Sequence, residues 1–298
     1  MCTAIAFQAN GCYFGRNLDL DYSYEESITI TPRHFPLHFR LTDPLLQHYA
    51  IVGVAYVQNG YPLYYDAANE TGLAIAGLRF PDSTVYHAPD NSKINIAPFE
   101  LIPWLLGQCA SVTDAQELLQ KSNIAKLNFS EELPCTPLHW MITDRTRSIV
   151  LESCADGLHL YDNPIGILTN EPPFPLQRKA AEAASTHISG GYSSSERFQR
   201  ASALKRTAEK TPNALSAVNL LFHLFQSVAV PCLDLVDNHP KMITQYTSCC
   251  DLDRKIYYYT TYENSTIHAV DLHREDLNNR HLISYPLLKK GQIHLQNL

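Results

Sequence analysis

Apolar residues along the chain follow two periods, and the period changes twice. Residues 3–7 alternate weakly, and 12–14 continue the pattern across Gln8-Ala-Asn-Gly11, a turn whose residues tolerate left-handed backbone. The β-branched run 27–31 (SITIT) is extended and stops at Pro32. Segments 50–56 and 73–78 (LAIAGL) are apolar throughout and predict buried strands. The spacing then turns helical over 99–109 (FELIPWLLGQC). Ser111 or Thr113 can cap a second helix in which Ala115, Leu118 and Leu119 share a face. Residues 138–142 and 148–152 predict a hairpin closed by 143–147, and 158–161 and 166–169 extend its sheet. Helical patterns return over 195–209 and 214–228. Residues 245–250, 255–262, 266–271 and 281–285 read as strands again. The stretch 183–195 (AASTHISGGYSSS) predicts a surface loop or lid. Strands first, helices in the middle and strands last predict one α+β domain over 1–298 whose two ends share a sheet.

Composition narrows the function classes. The chain has 298 residues, 45% hydrophobic and 18% charged, enough apolar material for a large core. Its formal net charge is −7, with 23 basic against 30 acidic residues and no block of like charges. That argues against nucleic acid and anionic membrane as partners. The N-terminus turns polar at Gln8 and lacks a basic leader. No apolar run reaches the ~18–20 residues that span a bilayer, so a cytoplasmic protein is predicted. Eight cysteines (2, 12, 109, 135, 154, 232, 249 and 250) form no CxxC pair and lack zinc-ligand spacing. Most are expected to be small buried hydrophobes.

One cysteine has a special place. Cys2 follows Met1 directly and opens an apolar strand (MCTAIAF). Removing Met1 gives one residue both a thiol and a free α-amine. With a reference pKa near 7.7–8.0, roughly a tenth to a sixth of that amine is neutral at pH 7. It can therefore take the thiol proton, and one residue serves as nucleophile and base. The bland alternative is a cysteine that merely follows the start codon. Residues 15–21 (GRNLDLD) add Arg16, able to hold Cys2 as thiolate, and Asp19, able to orient the amine. Strict alternation puts Arg16 and Asp19 on opposite faces, so both reach Cys2 only if the strand bulges or ends there. Asn170 closes a strand before Glu-Pro-Pro and can aim its amide at a developing oxyanion, or simply cap the strand in an Asx-turn. Arg197 stands at a helix start, the wrong end for the helix dipole, which points to another job.

These elements, in this order, resemble the choloylglycine hydrolase family: bile salt hydrolases and penicillin V acylases, within the N-terminal nucleophile hydrolases. The resemblance runs nearly end to end, through MCT, GRNLD, NETGLAIAGL at 69–78, LHWMITD at 138–144, ILTNEP at 167–172, SERF at 195–198, and ITQYTSC and IYYYTTYEN at 243–264. It implies an αββα sandwich, two antiparallel sheets between helix layers, and hydrolysis of an unactivated linear amide without metal or cofactor. Cys2 matches the nucleophile, Arg16 and Asp19 the charged pair beside it, Asn170 the oxyanion asparagine, and Arg197 a second arginine near amine and nucleophile. The small residue behind Met1 implies ordinary methionine removal without a propeptide.

Two positions depart from the family pattern. After AGL the bile salt hydrolases carry asparagine and the penicillin V acylases tyrosine; here it is Arg79. Its backbone N–H can still serve an oxyanion hole, and its side chain can read the glycine carboxylate or taurine sulfonate of a conjugated bile salt. The plainer alternative is that it faces solvent or pairs with Asp82. The segment between Asn170 and Arg197 is also short, which weighs against the usual homotetramer and leaves a smaller homo-oligomer open. The first reading is thus a hydrolase of conjugated bile salts, a small-molecule N-acyl amide substrate. The second keeps the chemistry and changes the substrate to penicillin V or another N-acyl compound, such as an N-acyl homoserine lactone. A third, a catalytically dead binding scaffold, has no motif in its favour. Apolar residues near 20–24, 56–65 and 130–140 are expected to line the acyl site.

Overall fold

The computed structural model describes residues 1–183, 190–208, 211–232 and 242–297. A hairpin formed by Cys2–Ala9 and Gly11–Leu20 turns tightly at Asn10, where Gly11 has φ of +122°, a backbone region that side chains rarely adopt. The hairpin lies inside a six-stranded sheet. Its spatial order is Ile167–Leu168, Cys2–Ala9, Gly11–Leu20, Ile243–Asp251, Ile256–Thr261, His268–Asp271, antiparallel at each pairing. The first and last parts of the chain thus share a sheet, as the sequence predicts.

The second sheet has eight strands in the order Gly157–Asp162, Ser148–Cys154, Leu138–Thr143, Ala74–Arg79, Tyr61–Asn69, Ile51–Gln58, Ser27–Thr31, Ile283–Pro286, again antiparallel. Helices α1 (Leu101–Gln108) and α2 (Val112–Leu119) cover its outer face. Helices α4 (Ser194–Thr207) and α5 (Ala214–Gln226) cover the outer face of the six-stranded sheet, and α3 (Phe174–Ala183) packs on α4. The result is the αββα sandwich. The central strands of the eight-stranded sheet are buried on both faces. Val52, Val54 and Met141 face the inter-sheet core, whereas Ile51, Ala55, Trp140 and Ile142 face α1 and α2. Double burial explains why these segments read as continuous apolar runs.

Several elements differ from the sequence reading, among them a short parallel pair, Ile94–Ile96 with Ser122–Ile124. The second strand runs on to Leu20 rather than ending at residue 14. Tyr61–Asn69 is a strand that the sequence did not reveal, because Pro62 and two adjacent tyrosines mask its alternation. Helix α3 begins just after Pro172-Pro173, where prolines read as a stop; proline is compatible with a first helical turn. Of the lid expected over 183–195, residues 184–189 lie outside the described residues, as does residue 209 of the helix expected over 195–209. Ser193 caps α4 by accepting from Glu196 N, with the Glu196 side chain returning to Ser193. Of the eight cysteines, Cys2, Cys109, Cys249 and Cys250 are buried, Cys12, Cys135 and Cys154 half-buried, and Cys232 exposed.

Candidate active site

Cys2 heads the first strand, 4% exposed and paired across the hairpin with Leu18. Cys2 and Arg16 both project into the inter-sheet space, and Arg16 Nη2 donates to Cys2 Sγ at 2.7 Å. The rest of the guanidinium is held by carbonyls: Nη1 donates to Tyr65 O at 2.9 Å and to Gly77 O at 2.7 Å. These two carbonyls belong to strands that pair only through 66–68 and 74–76, and beyond that point the guanidinium bridges their splayed ends. Arg16 is fully buried. Burial alone would lower its pKa, but its interactions with Cys2, Tyr246, Asp66 and Asp19 hold it above the ordinary value, so it stays charged.

Asp19 lies on the other face of the same strand, as alternation requires. The bulge expected in this strand is found in its partner instead. Thr244 pairs with Asp19 and Tyr246 with Leu18, so Gln245 is the extra residue. Cys2 is approached from two sides. Arg16 touches the thiol from the inter-sheet face, and Asp19 stands on the helix face beside the main chain of residues 1 and 2. Asp19 N donates to Met1 O at 3.1 Å, and the Met1 amine donates to Asp19 O at 2.9 Å and to Met242 Sδ at 3.0 Å. Burial lowers the pKa of that amine; Cys2 and Asp19 work to raise it, and Arg197 and Arg79 to lower it further. The Asp19 carboxylate is fully buried. Its Oδ1 accepts from Thr244 Oγ1 at 2.6 Å, and its Oδ2 has no partner among the described residues.

Arg197 also comes from the helix face, out of the first turn of α4. Its guanidinium donates to Cys2 O at 2.5 Å, Thr3 Oγ1 at 2.7 Å and Asn170 Oδ1 at 2.7 Å. These acceptors outweigh the unfavourable helix dipole. Burial lowers its pKa, partly offset by Asp19 and Cys2. Asn170 Oδ1 also accepts from Cys2 N at 2.8 Å. Both donors are obligate, which fixes the amide orientation. Nδ2 donates one proton to Arg79 O at 2.7 Å and keeps a second N–H for another acceptor. Arg79 N–H leaves the strand on the same side as its carbonyl and that of Gly77, both bonded into the site, so it too faces Cys2. The structure thus gathers Cys2, Arg16, Asn170 and Arg197 by direct hydrogen bonds and brings Asp19 to the adjoining backbone. The Arg79 side chain is exposed and forms no ion pair with Asp82 among the described residues.

A cavity of about 340 Å³ opens beside Gly77. Leu20, Tyr22, Tyr24, Tyr56 and 132–136 line it, in the three stretches expected from the sequence. Phe99 and Ile102, at the start of the first helical stretch, also line it and were not expected. Burial and Tyr22 push the pKa of Tyr24 up to about 12. Sequence reasoning also missed Asp66, Thr244 and Gln177. Gln177 holds Asn170 O and, at 2.6 Å, Pro172 O. The one available signal was Asp66 itself, a carboxylate inside an otherwise apolar and aromatic run.

Two facing antiparallel sheets between helices, with a cysteine heading a central strand, are the architecture of N-terminal nucleophile hydrolases. A profile for linear amide C–N hydrolases of the choloylglycine hydrolase family matches residues 2–183 and 179–285. The chain is 43% identical to a bile salt hydrolase/transferase of Lactiplantibacillus plantarum and 33% identical to one of Clostridium perfringens, each match covering all of both chains. It superposes on a variant of conjugated bile acid hydrolase from Clostridium perfringens with TM-score 0.92, at 31% identity over the whole of both chains. It shares the fold of penicillin V acylase from Agrobacterium tumefaciens (TM-score 0.81, 20% identity, 95% and 90% of the two chains). The chain belongs to the choloylglycine hydrolase family and is an amidohydrolase of linear C–N bonds. No helix among the described residues is long and apolar enough to cross a membrane.

Proposed function

We propose that the chain, acting as one unit over 1–298 in the cytoplasm, hydrolyses the amide of conjugated bile salts. The observation that carries this reading is the Arg16 guanidinium. It binds Cys2 Sγ at one end and, at the other, carbonyls of Tyr65 and Gly77, both of which line the apolar cavity. A thiolate held there meets the carbonyl of an amide whose rigid acyl group fills an aromatic pocket.

The steps follow from the groups present. Once Met1 is removed, the Cys2 α-amine takes the thiol proton and the thiolate attacks the amide carbon. The developing oxyanion accepts from the second Asn170 N–H and from Arg79 N–H. The ammonium gives its proton to the leaving nitrogen as the C–N bond breaks, leaving an acyl thioester. The amine then takes a proton from water, hydroxide attacks the thioester, and the acid and thiol are released. Asp19 holds the ammonium, and Arg197 fixes the Cys2 carbonyl. The Arg79 side chain reads the anionic end of the leaving amine. The short 171–196 segment favours an assembly smaller than a tetramer.

The test is side-by-side hydrolysis of glycocholate, taurocholate and penicillin V by Met1-free protein, checked by intact mass, with Cys2→Ser as control. Fastest release from the bile salts is expected; a preference for penicillin V would transfer the proposal to that substrate. Full activity in a chain that retains Met1 would overturn the mechanism. Arg79→Asn is expected to raise KM for the anionic amides several-fold, and unchanged kcat and KM would remove its assigned part.

A further inference from the structure

We propose that Thr244 is a positioning residue that presents Asp19 Oδ2 to the Cys2 α-amine, and that the β-bulge at Gln245 exists to aim it. The inference rests on the amidase reading above and adds a residue to it. Thr244 is directly opposite Asp19 in the sheet, 6% exposed, within the ITQYTSC stretch whose other polar residues serve elsewhere.

Val230 N is an obligate donor and gives its proton to Thr244 Oγ1 at 2.8 Å. The Thr244 hydroxyl proton therefore points away, to Asp19 Oδ1 at 2.6 Å. A hydroxyl donated to a carboxylate favours the ionised form and fixes its rotation. Oδ1 is thereby occupied, and Oδ2, buried and without a partner among the described residues, is left for a cation.

The bulge makes this geometry possible. On a regular strand Thr244 would share a face with Tyr246 and Ser248, whose hydroxyls donate to Asp66 between the sheets. The extra residue turns Thr244 to the helix face, where Thr247 donates to Asn17 at 2.8 Å and Thr244 to Asp19. The charged and titratable groups acting on the Met1 amine, one residue before Cys2 N, are Cys2 itself, Asp19 on the next strand, Arg197 from α4 and Arg79 from the facing sheet, while Cys2 N donates to Asn170 Oδ1 and Arg16 binds the thiol. Thr244 is the neutral donor that orients the carboxylate in that set.

The pH dependence of kcat/KM on glycocholate tests the proposal, using Met1-free Thr244→Val and Thr244→Ser with and without Asp19→Asn. Thr244→Val is expected to lower kcat about tenfold or more with KM within about twofold. It should also move the acid limb of the profile down, because the ammonium loses part of the carboxylate that stabilises it. Thr244→Ser should restore both. In the Asp19→Asn background Thr244→Val should cost little more, because its route runs through that carboxylate. If Thr244→Val does not fold, Thr244→Ala carries the same test. A wild-type profile in the folded variant, or effects that multiply with Asp19→Asn, overturns the proposal. Absence of turnover in the wild type on every amide would instead overturn the amidase reading.

Discussion

Two carboxylates are buried within reach of Arg16, and the protein treats them differently. Asp66, 2% exposed, stands between the sheets with both oxygens occupied: Oδ1 accepts from Tyr246 OH at 2.5 Å, and Oδ2 from Ser248 Oγ at 2.9 Å and from Tyr257 OH. Three hydroxyls from one sheet close on a carboxylate from the other. Asp19, equally buried, has one donor and one oxygen without a partner among the described residues. A saturated carboxylate fastens structure, whereas on the proposed mechanism an unsaturated one beside Cys2 is kept for the ammonium that appears once Met1 is removed. An unpartnered oxygen alone does not make a site. Glu152 also keeps a free Oε2, but its Oε1 accepts from His139 at 3.1 Å and from Phe174 N at 2.9 Å, which ties it to the start of α3.

The largest effect expected from this contrast is kinetic. Asp19→Asn should lower kcat/KM by about 10²–10³, the usual range for losing one preorganised electrostatic partner, with a melting temperature near wild type. Kinetics and a thermal melt on the same sample check it. A large melting loss with little kinetic change would make Asp19 a fastener like Asp66, and the contrast would fail.

Next comes the backbone that carries Ser248. A Cβ at Gly15 would sit 2.0 Å from Ser248 O, so the strands must part to admit one. Gly15→Ala is expected to lose about 3 kcal/mol of stability in a denaturant melt. It should also weaken the contacts of Ser248 with Asp66 and with Arg16 N, the latter 3.1 Å long.

Asp66→Asn should be milder: about 1–3 kcal/mol, because the amide keeps the shape but turns a donor toward hydroxyls that were donating. Its kcat/KM should stay within about tenfold of wild type. A fall as deep as that of Asp19→Asn would show that Asp66 acts on the thiol through Arg16 rather than on the fold.

How much of this was legible in the sequence depends on the distance over which each feature is encoded. Cys2, Arg16 and Asp19 lie within a few residues of one another, and their chemistry can be read locally. The alternation conflict between Arg16 and Asp19 was visible too, but its resolution was not. The two approach Cys2 from opposite faces of a regular strand, and the bulge lies some 225 residues away in the strand that pairs with theirs, where it turns Thr244 and has no local signal at Gln245. Asn170 and Arg197 were recognisable by their surroundings at a strand end and a helix start. Asp66 was not, since its meaning comes from Tyr246, Ser248 and Tyr257 of the opposite sheet. The doubly buried runs were legible as continuous apolar strands, whereas Tyr61–Asn69 was hidden by Pro62 and its adjacent tyrosines and α3 by the prolines before it.

The smallest expected effect is a slope. Burial raises the Asp66 pKa above its ordinary value, more than Arg16 and the three hydroxyls pull it down. The folded protein therefore binds that proton more tightly than the unfolded chain does. The associated stability is fully present below the unfolded carboxylate value and is lost as pH rises through the raised one. In Asp66→Asn no such proton exists. Unfolding free energies measured by denaturant from pH 4 to pH 7 should show wild type losing ground relative to Asp66→Asn as pH rises, with most of the change above the ordinary carboxylate range. A difference that stays flat, or that grows in favour of wild type with rising pH, would mean that Arg16 and the hydroxyls overcome burial. Asp66 would then stand as a charged partner of Arg16, and the line between the two carboxylates would have to be redrawn around charge rather than hydrogen-bond saturation.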